Sequence, residues 1–204
     1  MTRPPFSTWA DVVTISRVVL LPVLILTGEA VHAAVDAGGA GTSPRTFVLA
    51  LLLAIGASDK LDGWLARRSG QPPTKRGAIL DAAADRLVQW TGVWYFTLRG
   101  APAFTPLPIW LAGTLVLRDA LLLAILLRQR RPKAASYEHE LHGKAATVTI
   151  FLALLAPAAG ASRAWTFLAA LVAGLSVMYS TARYAMRLVG RTSSKTTSQP
   201  RMVE

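Results

Sequence analysis

Apolar residues arrive along this 204-residue chain in blocks separated by polar connections. Six blocks stand out: Val12–Thr27, Phe47–Ala57, Ala82–Leu98, Leu107–Leu127, Ala145–Ala159 and Trp165–Met178. A helix that crosses a bilayer needs about 20 predominantly apolar residues. Several blocks are shorter than that, so their helices are expected to run on into the flanking polar segments. Phe47–Ala57 is the weakest alone and draws on Thr46 and on the residues after Ala57. The pattern predicts an all-α, polytopic membrane protein of six transmembrane helices. Residues 1–189 would form one transmembrane domain. Residues 190–204 are rich in Ser, Thr and Lys without periodicity, and are expected to be a disordered cytoplasmic tail. Arg3, the first apolar block and the Ala/Gly-rich stretch Ala30–Gly41 also resemble a cleavable signal peptide. The length of the run, Arg17 and Pro22 within it, and Trp9 and Asp11 before it favour a retained first span.

Composition agrees with the blocks. The chain is 52% hydrophobic and 16% charged, with mean hydropathy +0.40, too apolar for an ordinary soluble domain of this size. Against that stand 22 Lys+Arg and 11 Asp+Glu, a net charge of +11. A nucleic-acid binder could carry such a charge, but it would not bury Leu/Ala/Val runs of this length, so no nucleic-acid partner is expected. The absence of cysteine excludes disulfides, thiolate-held metals and a cysteine nucleophile. The cations also fall unevenly. Arg45, Arg99 and Arg163 lie in the first, third and fifth connections; of the other 19, 16 lie at the two ends or in the even connections and Arg17, Arg86 and Arg118 lie within blocks. That alternation is the positive-inside pattern of a bacterial-type plasma membrane, with both termini cytoplasmic and the cationic side facing anionic lipid.

Acidic residues beside membrane segments are costly and usually functional. Four of the eleven cluster: Asp59 and Asp62 end the second block, and Asp81 and Asp85 begin the third. Spacings of three and four put each pair on one helix face. The connection between the blocks is short, so the second and third helices are expected to be antiparallel neighbours that bring all four carboxylates to one depth. Without equal counter-charge they would repel, and hard oxygen ligands of this kind suit Mg²⁺ or Mn²⁺. Ion pairs among Asp59, Arg67, Asp81 and Arg86 could explain one such carboxylate, but not four at these spacings. Gly63 and Ala66 leave room for a ligand, and Arg67 offers a planar fork suited to phosphate. Glu138-His139-Glu140-Leu141-His142 invites a zinc reading, yet His-x2-His lacks the His-Glu-x-x-His of a metalloprotease.

Asp59-x2-Asp62-Gly63-x2-Ala66-Arg67, followed by Gly77-x3-Asp81-x3-Asp85, resembles the signature of the CDP-alcohol phosphatidyltransferases. Every fixed residue is present. The gap from Arg67 to Gly77 holds nine residues where seven or eight are usual, in a Pro/Gly-bearing connection that tolerates insertion. The resemblance extends from about Trp9 to Tyr184. Asp11-Val-Val-Thr14-Ile-Ser-Arg17 is similar to an Asn-x2-Thr-x2-Arg element of the family's first helix, with Asp for Asn. Arg118-Asp119 and His142-Gly143-Lys144-Ala-Ala-Thr147 resemble elements of the phosphatidylglycerophosphate and cardiolipin synthase branch. Ile150 stands where that branch often carries Gln, and the second arginine expected after Arg118 is displaced, with Arg128 nearby.

The resemblance implies transfer of the phosphatidyl group of CDP-diacylglycerol to an alcohol, with release of CMP. It implies a cytoplasmic-side active-site cavity, two divalent ions (Mg²⁺ or Mn²⁺) and a homodimer in membrane lipid. On that pattern Asp59, Asp62, Asp81 and Asp85 hold metal, and Asp85 is the catalytic base. Thr14, Asp59, Gly63, Ala66 and Arg67 bind CDP-diacylglycerol, while Arg118, Lys144 and Arg183 bind the acceptor phosphate, with Arg17 and Arg128 weaker candidates. Arg118 could instead be neutralised by Asp119, and Arg183 could be a snorkelling anchor. Glycerol 3-phosphate is the expected acceptor; phosphatidylglycerol and an inositol phosphate are alternatives. From a different class, a small cation-coupled transporter would use the four carboxylates as an ion site. It leaves Gly63, Ala66 and Arg67 unexplained.

Overall fold

A computed structural model describes residues 9–68, 75–128 and 141–193, with side chains over 14–58, 80–124, 127 and 145–186. They form six α-helices: α1 (Trp9–Asp36), α2 (Thr42–Arg68), α3 (Lys75–Leu98), α4 (Ile109–Arg128), α5 (Leu141–Ala158) and α6 (Arg163–Ser193). No strand occurs among the described residues. The helices of the five shorter blocks overrun them into polar sequence, as their lengths required. α6 also runs through residues 190–193, which were expected to belong to a disordered tail. Of Gly190, Arg191, Thr192 and Ser193 only Arg191 is a good helix former, so these residues extend a helix already nucleated by the long run before them. Residues 194–204 lie outside the described set.

Three hairpins result, two of them closed by tight glycine turns and the third by the longer connection 99–108. α1 closes with the Gly38 N–H donating to the Val35 carbonyl and the Gly39 N–H to that of Ala34, both at 2.9 Å. α5 closes in the same manner, Gly160 to Pro157 at 3.1 Å and Ala161 to Ala156 at 2.9 Å. Each pattern needs a left-handed residue, and glycine supplies it: φ is 79° at Gly38 and 74° at Gly160.

The hairpins pack as two joined squares. α1 touches α2 and α3, and α5 touches both of these as well, while α3, α4, α6 and α5 form the second square around a shared α3–α5 edge. Among the described residues the backbones of α2 and α3 stay apart, although Ile55 and Val88 gather with Leu21 in one small buried cluster. They sit on a diagonal of the first square, with α1 and α5 at the other corners, and the α2 end at which the four carboxylates were expected to converge has its side chains outside the described residues. A short connection limits how far apart two ends lie, and leaves open whether other helices pack between them. The core comprises Leu24, Val31, Val48, Leu52, Val93, Phe96, Leu111, Leu115, Ile150, Leu154 and Val177, all nearly or fully buried. Ile150 at 0% exposure explains the departure from Gln: here the position is apolar packing.

At the shared edge a Cβ on Gly92 would lie 2.9 and 3.0 Å from the two methyls of Leu154, which is itself fully buried and has nowhere to move. Gly92→Ala is expected to lower stability by about 1–3 kcal/mol in a denaturant titration in detergent. Gly113→Ala, where a Cβ would meet nothing within 4 Å, should leave it level or slightly raised.

The turn end is tied laterally. Arg45 donates to the Ala103 carbonyl and lies over the Phe104 ring at 5.6 Å, and the Thr105 hydroxyl donates to the Ala161 carbonyl at 2.9 Å. Arg99 pairs with Glu29, which also accepts from the Tyr95 hydroxyl at 3.2 Å. This hydrogen bond to the Glu29 carboxylate raises the Arg99 pKa above its ordinary value. Outside, every helix exposes large apolar side chains, among them Leu26, Phe47, Leu87, Leu117, Leu152 and Leu175. Cover of this kind suits lipid better than water. By length and composition, Thr14–Asp36 and Arg163–Met186 suffice to cross a membrane; Thr42–Ser58 and Ala145–Ala158 are shorter apolar helices.

Candidate active site

α1 and α3 run parallel, and near their N-terminal ends they build an ionic cluster. The i,i+4 spacing places Asp81 and Asp85 one above the other on α3, and Ala84 packs beneath them, buried. From α1, Arg17 reaches across with its guanidinium fork. Nη1 donates to Asp85 Oδ1 and Nη2 to Asp81 Oδ1, each at 2.7 Å. The Arg17 side chain is 1% exposed, whereas Asp81 and Asp85 are 39% and 31% exposed. Thr14, one turn earlier on α1, is buried. The cation stays inside and the carboxylates look outward.

One cation is thus shared by two of the four aspartates, short of the equal counter-charge that would balance the set. An arginine buried in an apolar run must find an anionic partner, and that signal is present in the sequence at Arg17. Which carboxylate it meets depends on helix packing, so the sequence had placed it only among weak acceptor contacts.

A second polar cluster joins α3 to α4. Asp119 accepts from Arg86 Nη1 and from Trp90 Nε1 at 2.7 Å, and from Arg118 Nε at 3.0 Å. Both terminal nitrogens of Arg118 reach Gln89 Oε1 at 3.3 Å. Arg118 is 8% exposed and Gln89 6%. The neutralisation of Arg118 by Asp119 that the sequence allowed is thus realised, but two guanidinium groups share one carboxylate, and the cluster keeps an excess positive charge. Gln89 and Trp90 were missed because neither polar residue stands out within an apolar block. Arg183, half-buried on α6, makes no ion pair with a described residue, and its Nε is buried without a hydrogen-bond partner.

α2 carries Asp59, Asp62, Gly63, Ala66 and Arg67, and α5 carries Lys144. Their side chains lie outside the described set, as does the His139 region. The expected cavity at that end of α2 lies outside the described residues too. Among the described residues no group of three or more His, Cys, Asp or Glu is placed to hold a metal ion. The donor chemistry nevertheless fits one. Asp81 and Asp85 present outward-facing carboxylates on one face, and every other ligand of the set is also a hard oxygen.

Residues 7–180 match the family described as CDP-alcohol phosphatidyltransferase. The chain is similar to a cardiolipin synthase (CMP-forming) of Streptomyces coelicolor, 37% identical over 113 residues that cover 55% of this chain and 50% of that protein. It is similar also to a probable cardiolipin synthase (CMP-forming) of Drosophila melanogaster, 34% identical over 125 residues, 59% of this chain and 32% of the relative. The match thus spans half the length of the first relative and about a third of the second. No solved structure matches the chain.

Proposed function

The chain belongs to the CDP-alcohol phosphatidyltransferase family, and on that premise we propose that it moves the phosphatidyl group of CDP-diacylglycerol to an alcohol and releases CMP. The observation that carries this reading is the pair Asp81 and Asp85, from a signature complete in sequence, half-exposed on one face of α3. The acceptor hydroxyl oxygen forms a bond to the phosphatidyl phosphorus, the bond from that phosphorus to the CMP oxygen breaks, and the hydroxyl proton goes to Asp85. Asp59, Asp62, Asp81 and Asp85 would hold the Mg²⁺ or Mn²⁺ ions. Bound there, the ions supply charge neutralisation for the diphosphate and the leaving CMP. Thr14, Gly63, Ala66 and Arg67 would receive the nucleotide end of the donor. The acyl chains would stay in lipid beside the apolar exterior.

Phosphatidylglycerol and glycerol 3-phosphate share the chemistry the acceptor site needs, a glycerol hydroxyl with a phosphate nearby. The excess positive charge of Arg86, Arg118 and Asp119, with the unpartnered Nε of Arg183 and with Lys144, suits either. The names of both relatives favour phosphatidylglycerol as acceptor; the sequence elements alone favoured glycerol 3-phosphate. Six spans are part of the same proposal. The hairpin ends bearing Arg45, Arg99 and Arg163 would then face outward, with the site and both termini on the cytoplasmic side. A homodimer belongs to the proposal as well.

The test uses the full chain in detergent with CDP-diacylglycerol, Mg²⁺ or Mn²⁺, and a panel of phosphatidylglycerol, glycerol 3-phosphate and inositol phosphate. CMP should appear only with metal and with one acceptor, phosphatidylglycerol. CMP with glycerol 3-phosphate alone reverses the acceptor assignment. No CMP with any acceptor, from folded protein, overturns the reaction.

A further inference from the structure

Arg17 is placed unlike any other cation described. It is almost wholly buried, and it spans two carboxylates that the family signature reserves for metal. A buried guanidinium is costly to leave unpaired, so its hold on Asp81 and Asp85 is part of how α1 and α3 pack. A divalent ion arriving at the same carboxylates meets a positive charge already engaged with one oxygen of each. It must share those carboxylates with Arg17 or displace it. Either course weakens binding, because Arg17 cancels half of the pair's negative charge and repels the incoming ion at contact range.

We propose that Arg17 is an internal cation that sets the divalent-metal affinity of the aspartate site, acting through Asp81 and Asp85 as a positioning residue. The inference rests on the metal reading above. Its chemical sense is that an ion held too tightly by four carboxylates would also hold the released CMP. A fixed fractional counter-charge keeps the ion exchangeable while the carboxylates stay in register.

The experiment reads metal binding directly, without turnover. Full-length wild type, Arg17→Met and Arg17→Lys are purified in detergent and titrated with Mn²⁺, following free Mn²⁺ by electron paramagnetic resonance and melting temperature with and without chelator. Arg17→Met should tighten the apparent Mn²⁺ Kd on the order of tenfold or more, the usual reach of an adjacent charge on an ionic equilibrium. Its melting temperature should fall in chelator and recover at saturating Mn²⁺. Arg17→Lys, which keeps the charge on a less fitting head group, should lie between the two, and it carries the test if Arg17→Met does not fold. An unchanged or weaker Kd in the variants, with melting lowered equally with and without Mn²⁺, makes Arg17 a plain structural tie and overturns the proposal. Wild type without saturable Mn²⁺ binding removes the metal reading itself, and this inference with it; the two failures are therefore distinguishable.

Discussion

Asp85→Asn is expected to reduce CMP release from CDP-diacylglycerol on the order of 10²–10⁴-fold, the range a positioned general base contributes. The substitution is nearly isosteric. An amide oxygen can still accept the 2.7 Å hydrogen bond from Arg17 Nη1 that the carboxylate accepts now, so the α1–α3 contact should persist. Asp85 is 31% exposed, which leaves the changed group where a substrate hydroxyl can approach it. The melting temperature should therefore move far less than the rate. Asp81→Asn separates the two roles. If Asp81 serves as a ligand only, excess Mn²⁺ should recover part of its activity, whereas no metal concentration should rescue Asp85→Asn. Initial rates of CMP formation across a Mn²⁺ series decide between them. A surviving rate within a few-fold of wild type for Asp85→Asn would remove it as the base.

The largest effect on stability is expected at Asp119. Three donors converge on its carboxylate, and the least exposed of them, Arg118, retains only Gln89 if Asp119 is lost. Asp119→Leu leaves two guanidinium groups, one of them nearly buried, facing each other with no anion between them. Breaking a buried pair from one side costs about 3–5 kcal/mol; the 28% exposure of Asp119 puts the expected loss at the lower end, about 3 kcal/mol. Asp119→Asn keeps an acceptor oxygen and should lose less. The double variant Asp119→Leu/Arg118→Leu should recover part of the loss, since removing both partners leaves no stranded charge. Denaturant titration in mixed micelles measures all three. A loss under about 1 kcal/mol for Asp119→Leu would mean that water already solvates the cluster.

The apolar blocks predicted the helices because the apolar character of a run along the chain is a one-dimensional property. The same holds for Asp81 and Asp85: a spacing of four fixes their shared face before any packing is known. What escaped the sequence is pairwise and three-dimensional. α2 and α3 adjoin along the chain, yet they are set on a diagonal by the close fit of α1 to both, where Gly28 gives room for Tyr95, and of α5 to α3, where Gly92 meets Leu154. Arg17 lies 64 residues from Asp81. Nothing in the pattern of α1 names that partner. Ile150 was legible only as a departure from a family habit, and its burial among the α5 contacts supplies the physical reason.

The two ionic contacts between α1 and α3 have opposite polarity. At one end α1 brings the cation, Arg17, and α3 the anions; about 12 residues on, α1 brings the anion, Glu29, and α3 answers with Tyr95 and Arg99. The two contacts lie about 18 Å apart along α1 at the rise of an α-helix, and a similar distance apart along α3. Inverting one helix would set Arg17 against Arg99 and Glu29 against Asp81 and Asp85. Sliding by a turn would break both contacts at once. In a bilayer the hydrophobic effect gives helices no preferred neighbour or direction, so this pair of reversed charges works as an address. It lets α1 recognise α3 in a single orientation and register, while α2, joined to α1 by a short turn, is already at its side.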